Sequence, residues 1–183
     1  MNKQDSIALF NSIYPDFFSG EDIRSLPEDC VFEEMVLPLK EFDPSIYDKQ
    51  LGDDVSFGLF HGDFQKLLLA IKKVVPEWVD FFSEEDRVYC GYINGEIASF
   101  CMVEDMGTHT ISGRTLKVGG PGCVGTIPEY RNRGIGLVMV RNVTQLLKNE
   151  GFDYSYIHYT GVAPWYGKLG YKTSVKWDKH GVK

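Results

Sequence analysis

The sequence contains no run of about 18 or more apolar residues, the length a membrane-crossing helix needs. Its first residues, Met1-Asn2-Lys3-Gln4-Asp5-Ser6, have neither the basic flank nor the apolar stretch of a signal peptide. The expectation is a soluble, cytoplasmic protein without a membrane partner. Cysteine is sparse, and Cys30, Cys90, Cys101 and Cys123 show no C-x-x-C spacing. Three of these thiols fall in apolar, strand-like segments, where free cysteine acts as a small hydrophobe. His61, His109, His158 and His180 are scattered, so no metal site is expected. Basic charge is also in deficit: 19 Lys and Arg against 26 Asp and Glu leave a net charge of −7. Binding a phosphate backbone needs concentrated Lys and Arg, so no nucleic-acid partner is expected. The balance is compatible with a cationic acceptor such as an amine, although Asp53-Asp54 and Glu84-Glu85-Asp86 also read as solvated surface.

Two catalytic signatures are missing as well. No G-x-x-x-x-G-K-[ST] loop occurs, which argues against a Walker-type NTPase, and no G-x-S-x-G elbow marks a serine hydrolase. Gly120-Pro121-Gly122-Cys123-Val124-Gly125 does satisfy the G-x-G-x-x-G spacing. That fingerprint works only where a strand turns directly into a helix, and here Thr126-Ile127-Pro128 follows instead.

What is present is enough for a full core. The 183 residues are 43% hydrophobic and 14% aromatic, the size and composition of one domain. Residues 1–60 are punctuated by Pro15, Pro27, Pro38 and Pro44 and show little helical periodicity beyond a short helix over 6–13. From residue 63 the pattern sharpens. Phe64, Leu67, Leu68, Ile71, Val74 and Val75 recur at helical spacing between a capping Asp63 and Pro76. Segments 87–93 and 96–103 flank Asn94-Gly95, which suits a type I′ turn and predicts a β-hairpin. A third strand is expected over 116–127, broken or bulged at Gly119-Gly120-Pro121-Gly122. After Gly134, residues Ile135, Val138, Met139, Val143, Leu146 and Leu147 define one face of a helix that Gly151 closes. A strand over 152–159 completes a crossover, whose two strands should run parallel. A short helix near Pro164 then leads to a strand over 171–177. That last strand offers an edge suited to pairing across a two-fold axis, so the chain reads as a monomer or a homodimer.

The junction from Thr126 to Leu137 concentrates chemistry. Arg131, Arg133, Gly134 and Gly136 stand where a strand ends and an amphipathic helix begins. A helix N-terminus presents unpaired N–H groups and partial positive charge, and glycine lets backbone approach an anion, so residues 131–136 should bind phosphate. The bland alternative is a solvated basic turn.

Arg131-x-x-Gly134-x-Gly136 resembles the acyl-CoA-binding motif of the GNAT superfamily of N-acetyltransferases. Pro128 before it, the helix after it, and Ala163-Pro164-Trp165-Tyr166-Gly167-Lys168-Leu169-Gly170-Tyr171, similar to the family's second signature, strengthen the match. The resemblance is specific over 118–171 and generic over 63–103. It implies a single-domain α/β GNAT fold with a mixed central β-sheet flanked by helices and a core over about 63–177; it says little about residues 1–60, which are expected, with the loops before the hairpin, to form an extension that shapes the acceptor pocket.

The resemblance further implies acetyl-CoA as co-substrate and the primary amine of a small molecule or peptide as acceptor, attacked directly in a ternary complex. Arg131, Asn132, Arg133, Gly134, Ile135, Gly136 and Leu137 would hold the pyrophosphate through backbone N–H groups, with Arg133 adding charge. Val124, Gly125 and Thr126 would pair with the pantetheine arm as if it were an extra strand. Tyr166 matches the general acid; a phenol of ordinary pKa near 10 is protonated at pH 7 and can donate to a thiolate. It also reads as a core aromatic beside Trp165. The family often has Asn at the end of the strand before the second signature, whereas this chain has Tyr159-Thr160-Gly161.

No acidic residue lies on the strand over 116–127, so the general base is open among Glu104, Asp105, His158 and solvent. A lysine-like amine is neutral only about once in 2,500 molecules at pH 7, so a base has work to do. Two other readings are a non-catalytic acyl-CoA-binding regulatory module and an interaction domain without a ligand.

Overall fold

A computed structural model describes residues 1–183. Helix α1 (Lys3–Ile13) starts at Asn2, whose side chain accepts from the Asp5 backbone N–H at 2.8 Å. A short α2 (Glu21–Arg24) precedes strands β1 (Phe32–Pro38) and β2 (Val55–Leu59). Helix α3 (Phe64–Lys72) is capped by Asp63, as its sequence predicts, and a 3₁₀ turn begins at Pro76. The long strands β3 (Val88–Ile93), β4 (Glu96–Ile111) and β5 (Arg114–Thr126) follow, then α4 (Ile135–Asn149), β6 (Tyr154–Thr160), α5 (Ala163–Gly167), β7 (Lys172–Asp178) and β8 (Gly181–Val182).

All eight strands form one mixed sheet in the order β2-β3-β4-β5-β6-β1-β7-β8. Both hairpins turn on a pair of positive-φ residues, Asn94-Gly95 and Ser112-Gly113. The second was not legible: β4 runs to Ile111 rather than stopping near residue 103, because Thr108, Thr110 and their neighbours pair with β5 although the segment is polar. The expected bulge also sits further along. Phe100 opposes Gly125 while Met102 opposes Gly122, so Cys123 and Val124 carry the extra residue, and Cys123 takes φ +46°.

The crossover from β5 through α4 to β6 is parallel as expected, but the two strands pair only at Val118–Tyr154 and Gly119–Ser155. Beyond those residues they part. The segment expected to be an N-terminal extension supplies an interior strand, since β1 lies antiparallel between β6 and β7. The edge proposed for self-pairing is partly covered by β8, which pairs with the end of β7, and Trp177 is fully buried.

Alternation along the strands separates two apolar layers. Met35, Leu37, Cys101, Val103 and Ile157 pack with Met139, Val143 and Leu147 of α4. Val36 and Tyr156 instead pack with Leu9 of α1, while Cys90 and Phe100 pack with Leu67 and Ile71 of α3. Helices therefore cover both faces. No helix is long and apolar enough to cross a membrane, and no group of three or more His, Cys, Asp or Glu is arranged to hold a metal ion.

Candidate functional site

The divergence of β5 from β6 opens the sheet, and two cavities occupy the gap. The first, about 670 Å³, is lined by Val124, Gly125 and Thr126 at the end of β5, by Arg131, Asn132, Gly134, Ile135, Gly136 and Leu137, and by Tyr166. Ten of the eleven residues singled out from sequence thus share one wall. Arg133 is the exception. It faces Asp54 at 3.6 Å, remains largely exposed and does not line the cavity.

Backbone builds this wall. Gly134 adopts φ +91° ahead of α4, a conformation that strains any L side chain. The first intrahelical bond of α4 runs from the Val138 N–H to the Gly134 carbonyl, so the N–H groups of Ile135, Gly136 and Leu137 have no partner within the helix. The turn is fixed by Arg131, whose Nε donates to the Thr126 carbonyl at 3.1 Å. Over residues 121–126 one edge of β5 pairs with β4 and the other has no strand beside it. Sequence reasoning missed Tyr47, Lys49, Tyr130 and Lys168 in the lining. Lys49 packs over Gly134 and adds a cation, but nothing near it in sequence signals that placement.

The second cavity, about 660 Å³, lies on the other side of Tyr166. Its apolar wall includes Phe32, Trp78, Phe81, Met106, Ile157 and Tyr159; its polar groups include Glu104, Cys123, His158 and Thr160. Trp78, Val124, Val162 and Tyr166 line both cavities. Tyr166, held edge-to-face between Trp165 and Tyr171, is 7% exposed, and burial pushes its phenol further up from its ordinary value. It stays protonated at neutral pH.

Of the three proposed bases, Glu104 and His158 face the second cavity, while Asp105 turns away and accepts from the Gly107 N–H at 2.9 Å. Glu104 has its carboxyl raised chiefly by burial and next by Asp86, with His158 opposing. Gly122 makes room for it, since a Cβ there would collide with the Glu104 carboxylate. The Cys123 thiol is pushed up to about 11, again mainly by burial.

His158 sits at an irregularity. Glu33 opposes Thr160 while Met35 opposes Ile157, so β6 carries an extra residue at His158-Tyr159, and Tyr159 takes φ +55°. Fully buried Glu34 fills that bulge. Its Oε1 accepts from Trp177 Nε1 at 2.7 Å and from the Tyr159 N–H at 3.2 Å, and His158 Nδ1 lies 2.9 Å from Oε2. Glu34 was not singled out from sequence because its partners lie on β6 and β7, far along the chain.

A glycine-led helix start at α4, an open strand edge on β5 and a tyrosine that lines both cavities thus meet in one place. The family model described as Acetyltransferase (GNAT) domain matches residues 66–174. The chain therefore belongs to the GNAT family. No curated protein matches its sequence.

Solved structures agree on the fold. The chain is similar to a GCN5-related glucosamine N-acetyltransferase region of a fungal multi-domain GH3 beta-N-acetylglucosaminidase, at 21% identity and TM-score 0.68, covering 82% of this chain and 20% of that one. GCN5-related N-acetyltransferases from Sphaerobacter thermophilus (15% identity, TM-score 0.55, 81% of this chain and 50% of that one) and Kribbella flavida (14%, 0.54, 81% and 56%) are also similar. The chain therefore spans 20–56% of the length of these structures.

Proposed function

We propose that the chain transfers the acetyl group of acetyl-CoA to the primary amine of a small molecule or peptide, by direct attack in a ternary complex. The observation that carries this reading is the meeting of the two cavities at Tyr166. The first cavity fits the donor. Unpaired N–H groups at the start of α4, with Arg131, Lys49 and Lys168 nearby, suit a pyrophosphate. The free edge of Val124, Gly125 and Thr126 suits an extended amide-bearing arm, which would add to β5 as a strand. An acetyl thioester lying along that edge would end beside Tyr166, with the acceptor arriving from the second cavity.

Tyr166 is then the general acid that protonates the departing thiolate. Direct attack is favoured over an acyl-enzyme because Cys123, the cysteine lining the second cavity, is held protonated; at about 11 its thiolate is roughly one part in 10⁴ at pH 7. Four free cysteines accord with a reducing, cytoplasmic setting.

Initial-rate kinetics with acetyl-CoA and a primary-amine panel test the reading. Tyr166→Phe is expected to lower kcat by about 100-fold while changing the Kd for acetyl-CoA less than about two-fold. Unchanged turnover would remove Tyr166 from the chemistry. Parallel rather than intersecting double-reciprocal lines would replace the ternary complex with an acyl-enzyme.

A further inference from the structure

We propose that the second cavity binds a primary amine carried on an apolar body, with the ammonium set against Glu104 and its proton taken by His158, which Glu34 holds in place. The inference rests on the acetyltransferase reading above and deepens it.

The lining dictates the class of acceptor. Phe32, Trp78, Phe81, Met106 and Tyr159 present apolar surface, whereas polar groups are few and the charged or titratable ones among them are Glu104, His158 and Cys123. A polyhydroxylated amine would leave hydroxyls facing aromatic rings without hydrogen-bond partners, which costs free energy for each one. An apolar body loses nothing there. Its ammonium meets Glu104, a carboxylate whose own burial disfavours a lone charge and which therefore gains from a cation beside it.

Proton removal is assigned by the hydrogen bonds around Glu34. Trp177 Nε1–H and the Tyr159 backbone N–H can only donate, so Oε1 accepts from both and Oε2 is left to face His158. His158 Nδ1 then donates to Oε2, and Nε2 is left with its lone pair. The ring is also fixed sideways: it stacks on Tyr14 at 3.8 Å and 19° and meets Phe17 edge-on. The groups facing His158 are thus Tyr14 after α1, Phe17, Glu34 on β1, Glu104 on β4 and its neighbour Tyr159. Two carboxylates, Glu34 and Glu104, thus lie beside the ring. Glu34 acts as a positioning residue and touches no substrate.

The balance is simple. The ammonium passes one proton to His158 Nε2, the neutral amine forms the new C–N bond to the acetyl carbonyl carbon, and the C–S bond breaks. As the amide forms, Tyr166 gives its proton to the departing thiolate and is reprotonated through water by the second nitrogen proton, while His158 returns the first proton to solvent.

The test compares two isosteric probes, 2-phenylethylamine, charged at pH 7, and O-benzylhydroxylamine, whose amine is uncharged there, with glucosamine as the polar control. CoA release and the melting temperature with acetyl-CoA are measured for the unmodified protein and for His158→Gln, Glu34→Gln and Glu104→Gln. The unmodified protein should prefer 2-phenylethylamine to glucosamine by at least about ten-fold. His158→Gln should lose at least about 100-fold on 2-phenylethylamine, flatten the acid limb of its pH profile, and lose less than about five-fold on O-benzylhydroxylamine. Glu34→Gln should lose about ten-fold with the same selectivity for the charged amine. Equal losses on both amines, a preference for glucosamine, or no turnover of either apolar amine while acetyl-CoA still raises the melting temperature would each overturn the assignment. Loss of the base signature in Glu104→Gln but not in His158→Gln would move the proton to Glu104 and overturn it too. Absence of any acetyl-CoA stabilisation would instead overturn the donor-site reading on which it rests. If Glu34→Gln does not fold, His158→Gln alone decides.

Discussion

The two cavities on either side of Tyr166 are of nearly equal volume but are built in opposite ways. The cavity proposed for the donor takes ten of its nineteen lining residues from one stretch of chain, the end of β5, the loop over 127–134 and the first turn of α4. The cavity proposed for the acceptor is lined by residues dispersed over β1, β4, β5, β6, the 3₁₀ turn after α3 and the segment around Tyr166, with Tyr14 and Glu34 behind His158. A site made of peptide N–H groups and glycine conformations serves a ligand with fixed chemistry. One made of dispersed side chains can change its substrate without disturbing the cradle.

Breaking the backbone cradle should produce the largest effect. Gly134→Glu must adopt φ +91°, contend with Lys49 and place a carboxylate at the cradle, so acetyl-CoA affinity by calorimetry is expected to fall by at least about 100-fold. The circular dichroism spectrum should stay that of the unmodified protein, because the strain is confined to a loop. Gly122→Ala attacks the other side. Its Cβ displaces the Glu104 carboxylate, and the acceptor KM is expected to rise by about ten-fold while the acetyl-CoA Kd is unchanged. A parallel loss of both affinities would show that the two sides are not separable.

Glu104→Gln sharpens the comparison through stability. Glu104 has a raised folded-state pKa, so the folded protein keeps its proton to higher pH than the unfolded chain does, and stability is lost as pH rises from the unfolded value toward the folded one. Removing the charge should raise the melting temperature at pH 7.5, by an amount that vanishes once the pH falls below the unfolded carboxyl value near 4.3. A thermal scan against pH checks the sign. The smallest effect is expected at Arg133. Because it faces Asp54 rather than the cavity, Arg133→Ala should weaken acetyl-CoA binding by less than about three-fold, against about ten-fold for Arg131→Ala.

That contrast also explains what the sequence disclosed. α3, α4 and the Asn94-Gly95 hairpin are local: a cap, a 3.6-residue period and a turn dipeptide each lie within a few positions. The residues proposed for the cradle are equally local, and ten of the eleven site residues read from the sequence line the same cavity. β1 was not, because the pattern that makes it an interior strand, Met35 and Leu37 to one face and Val36 to the other, spans few residues and its partners are more than a hundred positions away. Glu34 reads as an ordinary surface acid until β6 bulges against it. Arg133 shows the reverse case, a motif position whose side chain faces Asp54 and not the cavity. The ladder does slip at Gly119, where Met106 of β4 is the extra residue, but the bulge of β5 itself falls at Cys123-Val124; Gly120 and Gly122 instead permit close approaches, to the Tyr156 carbonyl and to Glu104.

The most direct test of the central claim, that the start of α4 and the free edge of β5 form a donor site opening on Tyr166, is thermal unfolding with and without saturating acetyl-CoA. At about 100 times its dissociation constant the ligand should stabilise the protein by roughly 2.7 kcal/mol, an upward shift of several degrees for a chain of this length. A shift of that size, abolished by Gly134→Glu, is the predicted result. An unchanged melting temperature at saturating acetyl-CoA would contradict the account.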